Sequence, residues 1–375
     1  MDNKPVKPEW APENAGGEFA SSVLSGVNEN DIKKNMPSVV KKSQLSAKEY
    51  AEGILAGDRG ILSRAITIIE SNAPKHFDLG QEIISLLLPY TGNSVRVGIT
   101  GVPGAGKSTT IEALGNFLCD NGRRVAVLAV DPSSSVSRGS ILGDKTRMEN
   151  LSKRQEAFIR PSPSGGTLGG VTRKSRETIL LCEAAGFDTI LVETVGVGQS
   201  EITVRSMVDF FLVLVITGAG DELQGIKKGI IEIADSVLIN KADGDNKRRA
   251  LVAKSEYNQV LHYLRPATEG WTTQAYTCSA LTGEGIEDMW NIIMEFIGIT
   301  KESGIFHARR NTQTINWVRQ MAESYAIDKV FGNPSIKQAM ENMAPLIKSG
   351  GVSPSVALKQ LIDAMEREMF RSEGC

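Results

Sequence analysis

Seven short stretches of the chain read as strands: 95–100, 125–130, 157–160, 189–193, 210–216, 236–239 and 275–278. Several are nearly continuous in Val, Ile and Leu. A strand with one solvated face alternates apolar and polar positions, whereas one covered on both faces does not. Stretches of helical period separate most of the seven. That alternation predicts an α/β fold with a mostly parallel, doubly wound sheet and ligands at the carboxyl ends of its strands.

Upstream of the first strand the period changes. Tyr50, Ile54 and Leu55, then Ile61, Leu62, Ala65, Ile66 and Ile69, recur at three- and four-residue steps, which predicts helices. Gly57-Asp58 breaks the first helix, and 78–88 repeats the theme until Pro89 ends it. After about residue 300 strands cease. Segments 305–329, 335–347 and 353–370 are helical, with Pro334 and Ser353-Pro354 at starts and Gly350-Gly351 as a break. Three such helices cannot build a good core alone, so they need a surface to cover, either the main domain or a second subunit. Residues 1–45 are rich in Pro, Gly, Ser, Asn and charge and read as a flexible leader. A mitochondrial presequence is disfavoured, because the first arginine is Arg59 while Asp2, Glu9, Glu13 and Glu18 come early. The expected division is a leader (1–45), an N-terminal helical segment (46–92), an α/β domain (93–300) and a C-terminal helical extension (301–375).

Composition narrows the function classes. Lys plus Arg number 42 against 44 Asp plus Glu, a balance that argues against a protein coating nucleic acid. No window approaches the roughly 18 apolar residues of a membrane span. Cys119, Cys182, Cys278 and Cys375 lie far apart with no CxxC pair, which disfavours a zinc knuckle or disulfide scaffold. Reduced thiols in a cytoplasm are the expectation.

Candidate chemistry begins at Gly101-Val102-Pro103-Gly104-Ala105-Gly106-Lys107-Ser108-Thr109, a G-x-x-x-x-G-K-S run between a strand and a helix. Its glycines let backbone N–H groups curl around phosphate oxygens, and the helix N-terminus adds positive potential. Lys107 would neutralise the β- and γ-phosphates and Ser108 would offer a hydroxyl to Mg²⁺. Val102 stands where many related P-loops carry an extra lysine, so a mechanism built on that lysine is unsupported.

Asn240-Lys241-Ala242-Asp243 is N-K-x-D at a strand end. An aspartate can accept from the guanine ring N–H and exocyclic amino group together; adenine lacks that donor pair. Asn240 and Lys241 would brace the loops, the lysine stem lying over the base. A backbone N–H of Ser279-Ala280-Leu281, after the next strand, could meet the guanine carbonyl.

Strand 189–193 runs into Glu193-Thr194-Val195-Gly196-Val197-Gly198-Gln199-Ser200-Glu201. The acid could orient the Mg²⁺ shell or the attacking water, and Gly196 could sense a γ-phosphate. Ordinary GTPases carry Asp there, so Glu193 points to a distinct subclass. Asp131 and Asp144 are further candidates for the metal, one directly and the other through water. The Gly-rich loop 218–228 suits a mobile element near the site, with Gln224 and Lys227 as candidate catalytic groups beside Lys107 and Glu193.

In this order, with Asp131-Pro132-Ser133-Ser134, Gly143-Asp144-Lys145-Thr146-Arg147-Met148 and Gly220-Asp221-Glu222-Leu223-Gln224-Gly225, these motifs resemble the MeaB/MMAA (ArgK) family of GTPases, a branch of the SIMIBI class of P-loop proteins. The likeness spans roughly residues 47–370. It implies a homodimer formed with the C-terminal helices. It also implies a GTP- and Mg²⁺-dependent chaperone of an adenosylcobalamin-dependent methylmalonyl-CoA mutase or close relative, gating cofactor delivery and protecting that enzyme. By the same resemblance, Asp131, Asp144 and Glu193 serve the metal and switch region, Asp243 reads guanine, and the 221–228 loop is a further switch. Two alternatives stand beside it. One is a kinase or ATPase linked to arginine/ornithine transport, against which the N-K-x-D run argues. The other is a nickel-insertion GTPase, for which Cys and His ligands are lacking.

Overall fold

The computed structural model describes residues 45–71, 73–130, 148–161, 168–194, 199–217 and 228–371. Three helices open it: α1 (Ala47–Leu55), α2 (Arg59–Glu70) and α3 (Pro74–Leu87). Their starts are chemically marked. Ser46 and Glu49 form a reciprocal capping box, Glu49 N–H donating to Ser46 Oγ at 3.3 Å and Ser46 N–H to Glu49 Oε2 at 2.7 Å. Asp58 caps α2 by accepting from the Gly60 and Ile61 N–H groups, which is why the helical run breaks at Gly57-Asp58. Tyr50, Ile54, Leu62, Ile66 and Ile69 are buried, and all three helices pack on the later helix Leu168–Ala184.

The α/β unit follows in the order β1 (Val95–Gly101), α4 (Lys107–Asp120), β2 (Val125–Val130), α5 (Glu149–Lys153), β3 (Ala157–Arg160), α6 (Leu168–Ala184), β4 (Thr189–Thr194), α7 (Gln199–Arg205), β5 (Phe210–Val215), α8 (Lys228–Glu232), β6 (Ser236–Ile239), α9 (Lys247–His262), β7 (Gln274–Thr277) and α10 (Ile286–Glu302). The strands form one sheet in the order β3-β2-β4-β1-β5-β6-β7. Every neighbouring pair is parallel, so the sheet is wholly rather than mostly parallel. The strand ends lie within a residue or so of those expected, because β2, β4, β5 and β6 are buried along their whole length. β1 is central. The chain leaves it toward β2 and later crosses to β5, so the connections reverse direction around β1, where such sheets bind ligands. Ile99 lies opposite Glu193, and Gly101 opposite Leu214.

Helices α11 (Ile305–Gly332), α12 (Pro334–Lys348) and α13 (Pro354–Arg371) complete the chain. The first turns of α11 are pinned to the amino-terminal edge of the sheet by charge. Arg310 forks onto Asp209 at 2.7 and 2.6 Å, and Arg309 shares the fully buried Asp235 with Arg205. Burial pushes the Asp235 carboxyl up, while the two guanidiniums oppose that shift. Farther along, α11 to α13 expose Ile315, Val318, Tyr325, Ile327, Leu346, Val356 and Leu358. Among the described residues no helix is long and apolar enough to cross a membrane.

Candidate functional site

The loop after β1 is shaped by two close approaches. A Cβ on Gly101 would stand 2.4 Å from the Leu214 carbonyl oxygen of β5, and one on Gly106 would stand 2.5 Å from Asn240 Nδ2. Gly106 also takes a left-handed φ of 88° as it caps α4, which glycine adopts without a steric penalty. Ala105 is buried, Pro103, Gly104 and Thr109 are exposed, and Val102, Lys107 and Ser108 are half-buried. The N-terminal turn of α4 therefore opens on the loop with unpaired-type N–H groups and the positive end of its dipole. Lys107 Nζ donates across the loop to the Gly101 carbonyl at 2.7 Å and the Val102 carbonyl at 3.4 Å. Charge-assisted bonds to an anion are stronger than bonds to a neutral carbonyl, so an incoming phosphate can draw this ammonium away from its own loop.

Ser108 Oγ donates to Glu193 Oε1 at 3.1 Å. The strand pairing that sets Glu193 beside Ile99 brings these two oxygen-bearing side chains to one edge. Behind them Thr194 Oγ1 donates to Thr100 Oγ1 at 2.8 Å, both residues buried, which ties the ends of β4 and β1. Among the described residues no three His, Cys, Asp or Glu side chains converge as a metal cage. Asp131, Asp144, Gln224 and Lys227 lie outside the described residues, as do residues 195–198.

The loop after β6 is built around one amide. Asn240, only 2% exposed, donates from Nδ2 to the Ala105 carbonyl at 2.8 Å and to Thr110 Oγ1 at 3.2 Å. Its Oδ1 accepts the Ala280 N–H at 3.1 Å and faces Cys278 Sγ at 3.5 Å. It thus joins the β1–α4 loop to the Ser279-Ala280-Leu281 segment. In this arrangement the Ala280 N–H, one of the candidate base contacts, is given to Asn240, and Leu281 is 82% exposed. Asp243 accepts from the Ser279 hydroxyl, so the two segments expected to meet the base stand side by side. Burial pushes the Cys278 thiol up to about 12.

Lys241 has a φ of 59°, the one non-glycine positive φ among the described residues. Strained backbone of this kind clusters at functional sites. A strut holds it: Asn246 Nδ2 donates to the Lys241 carbonyl at 2.7 Å, while Asn246 Oδ1 accepts from Thr217 Oγ1 at 2.5 Å. Sequence reasoning missed Thr110, Thr217 and Asn246. Asn246 immediately precedes α9 and so resembles an ordinary helix cap, yet it makes no side-chain cap bond; its amide serves the loop instead. For Thr110 and Thr217 no sequence signal existed.

Residues 62–335 match the family described as methylmalonyl Co-A mutase-associated GTPase MeaB. A probable GTPase of Mycobacterium tuberculosis is 47% identical over 313 residues, covering 84% of this chain and 93% of that protein. GTPase ArgK of Escherichia coli is 45% identical over 328 residues (88% and 99%), and the mouse mitochondrial methylmalonic aciduria type A homolog is 42% identical over 345 (89% and 83%). Among solved structures, the crystal structure of a LAO/AO transport system kinase superposes with a TM-score of 0.69 at 38% identity, covering 85% of this chain and 97% of that one. A G-x-x-x-x-G-K-S loop at the central strand, an Asn-Lys-x-Asp loop two strands away and a match across most of the chain lead to one conclusion: the chain belongs to the MeaB family of GTPases.

Proposed function

We propose that the protein binds GTP with Mg²⁺ at the carboxyl edge of its sheet and hydrolyses it. The nucleotide state then gates adenosylcobalamin loading of a methylmalonyl-CoA mutase or related acyl-CoA mutase and protects that enzyme. The observation that carries the nucleotide reading is Asn240, whose single amide holds the phosphate loop and the base loop in one frame. The mutase reading is supported by the family description and by the name of the mouse relative.

In this reading the α4 N-terminus and Lys107 hold the β- and γ-phosphates. Asp243 accepts from the two guanine donors, and the Lys241 stem covers the ring. The Ser108 hydroxyl and the Glu193 carboxylate are hard oxygen donors, close together, of the kind Mg²⁺ takes alongside phosphate and water oxygens. Bound there, the ion would neutralise charge on the phosphates. Glu193 would also orient the attacking water. Asp131, Asp144, Gln224 and Lys227 remain proposed contributors to the metal and switch segments. The exposed apolar residues of α11–α13 are the proposed surface for pairing two copies.

The test is reciprocal binding. If GTP tightens the mutase complex, the mutase must tighten GTP binding by the same factor. Nucleotide affinity is measured by calorimetry with and without the mutase; equal values remove coupling from the account. The kinase reading takes its support from the superposable structure of a transport system kinase. Incubation with labelled GTP and ATP separates the two, phosphoprotein favouring the kinase and free phosphate the GTPase.

A further inference from the structure

Far from the phosphate loop, where α11 crosses the amino-terminal edge of the sheet, five guanidinium groups meet three carboxylates. Arg96 forks onto Glu183 at 2.9 and 3.0 Å, Arg310 onto Asp209, and Arg205 and Arg309 share Asp235. Arg176 of α6 is the fifth. It is 7% exposed, and no carboxylate among the described residues lies within ion-pair distance of it. Burial, with Arg96 nearby, pushes its guanidinium down to about 10. Its terminal nitrogens donate to the Gln313 carbonyl at 3.2 Å and to Ser206, at 2.6 Å to the carbonyl and 2.9 Å to the hydroxyl. Its Nε–H is buried and has no acceptor among the described residues.

A second donor is in the same condition. The indole Nε1–H of Trp317 on α11 is buried without a partner among the described residues, and its ring centroid lies 5.8 Å from the Arg176 guanidinium carbon. Arg176 and Trp317 both line a cavity of about 220 Å³, which Arg96 and Arg310 also border. Arg176 further borders a larger, more open groove of about 780 Å³ beside α11.

Two buried donors lacking acceptors, beside an unpaired positive charge, specify what would complete the place. The group must accept hydrogen bonds and carry negative charge, since an unpaired buried cation is costly and each unmade buried bond adds to that cost. The cavity has room for a small oxyanion with several waters. We propose that this cavity binds a small oxyanion, a carboxylate or a phosphate group, held by Arg176 and the Trp317 indole N–H. The site stands on the sheet edge opposite the nucleotide loops and is independent of them.

The test reads Trp317 directly in the full-length chain saturated with GDP, so that the phosphate loop is occupied. The chain has four tryptophans, Trp10, Trp271, Trp290 and Trp317, whose ¹⁵N indole signals resolve in a correlation spectrum. Trp317→Phe identifies the signal by its loss. Trp271 is an internal control, because its Nε1–H already donates to the Asp235 carbonyl at 2.8 Å. Sodium acetate and sodium phosphate are titrated separately at ionic strength held constant with chloride.

The expected result is a saturable displacement of the Trp317 signal alone, with at least one of the two anions. Saturation by phosphate alone identifies a phosphoryl ligand, and saturation by acetate a carboxylate. Arg176→Lys, which keeps the charge but loses the fork, should weaken binding about tenfold or more. If that variant does not fold, calorimetry on Trp317→Phe replaces it, with an expected loss of about fivefold or more for one missing hydrogen bond. The proposal is overturned if neither anion moves the signal by about 50 mM, well past the millimolar range of a weak contact. It is equally overturned if chloride moves the signal as much, or if the variants bind as the parent does.

Discussion

Replacing Asn240 by Ala separates a brace from a base contact. The amide is buried and engages the Ala105 carbonyl, the Thr110 hydroxyl and the Ala280 N–H. Truncation leaves the carbonyl and the N–H without their partner, while Thr110 can rotate. An orphaned buried polar group costs about 1–3 kcal/mol, so two cost about 2–6 kcal/mol, with the half-buried Ala280 N–H at the lower end of its share. That is a large part of the roughly 5–15 kcal/mol that holds a domain folded. The loss must appear with no nucleotide present. Asp243→Asn is the counterpart, because an amide oxygen can still accept from the Ser279 hydroxyl. Its stability should stay within about 0.5 kcal/mol of the parent. Its guanine preference should fall steeply, since a site built for a donor pair rejects a mismatch by up to about 10⁴. Urea melts of the nucleotide-free proteins, followed by far-ultraviolet circular dichroism, give the first quantity, and competition between GTP and ATP gives the second. If Asn240→Ala melts with the parent, or if Asp243→Asn keeps its base preference, the division of labour drawn from the geometry is refuted.

Gly106→Ala should abolish nucleotide binding and cost about 2 kcal/mol or more, because its φ of 88° is left-handed and the new Cβ meets Asn240 Nδ2 at 2.5 Å; fluorescent GDP titration and urea melts check both. Lys241→Gly relieves a φ of 59° and should raise nucleotide-free stability by up to about 1 kcal/mol while weakening guanosine nucleotides. A fall in stability would show that the lysine conformation is not strained. Cys278 should resist alkylation in the native protein: with its pKa pushed up to about 12, the thiolate fraction at pH 8 is about a thousandfold below that of a free thiol. Mass-spectrometric labelling at rising pH should show no rapid modification at this residue until the protein unfolds.

What the chain determined by itself was mostly periodic or local. Strands β2, β4, β5 and β6 were legible because strands buried on both faces carry nearly unbroken apolar runs, and the helices because apolar positions recur at three- and four-residue steps between breaks such as Gly57-Asp58, Pro89 and Gly350-Gly351. The phosphate loop and the Asn240–Asp243 run were legible because each is contiguous. The tertiary structure decided what had no contiguous signal. Asn240 acts through residues more than a hundred positions upstream, Asn246 leaves its capping position to hold Lys241, and Ser108 meets Glu193 only because β4 pairs with β1. The surplus positive charge around Arg176 was invisible for the same reason. A guanidinium is unpaired only in relation to carboxylates that the fold brings near it, and pairing in space is not written at any one place along the chain.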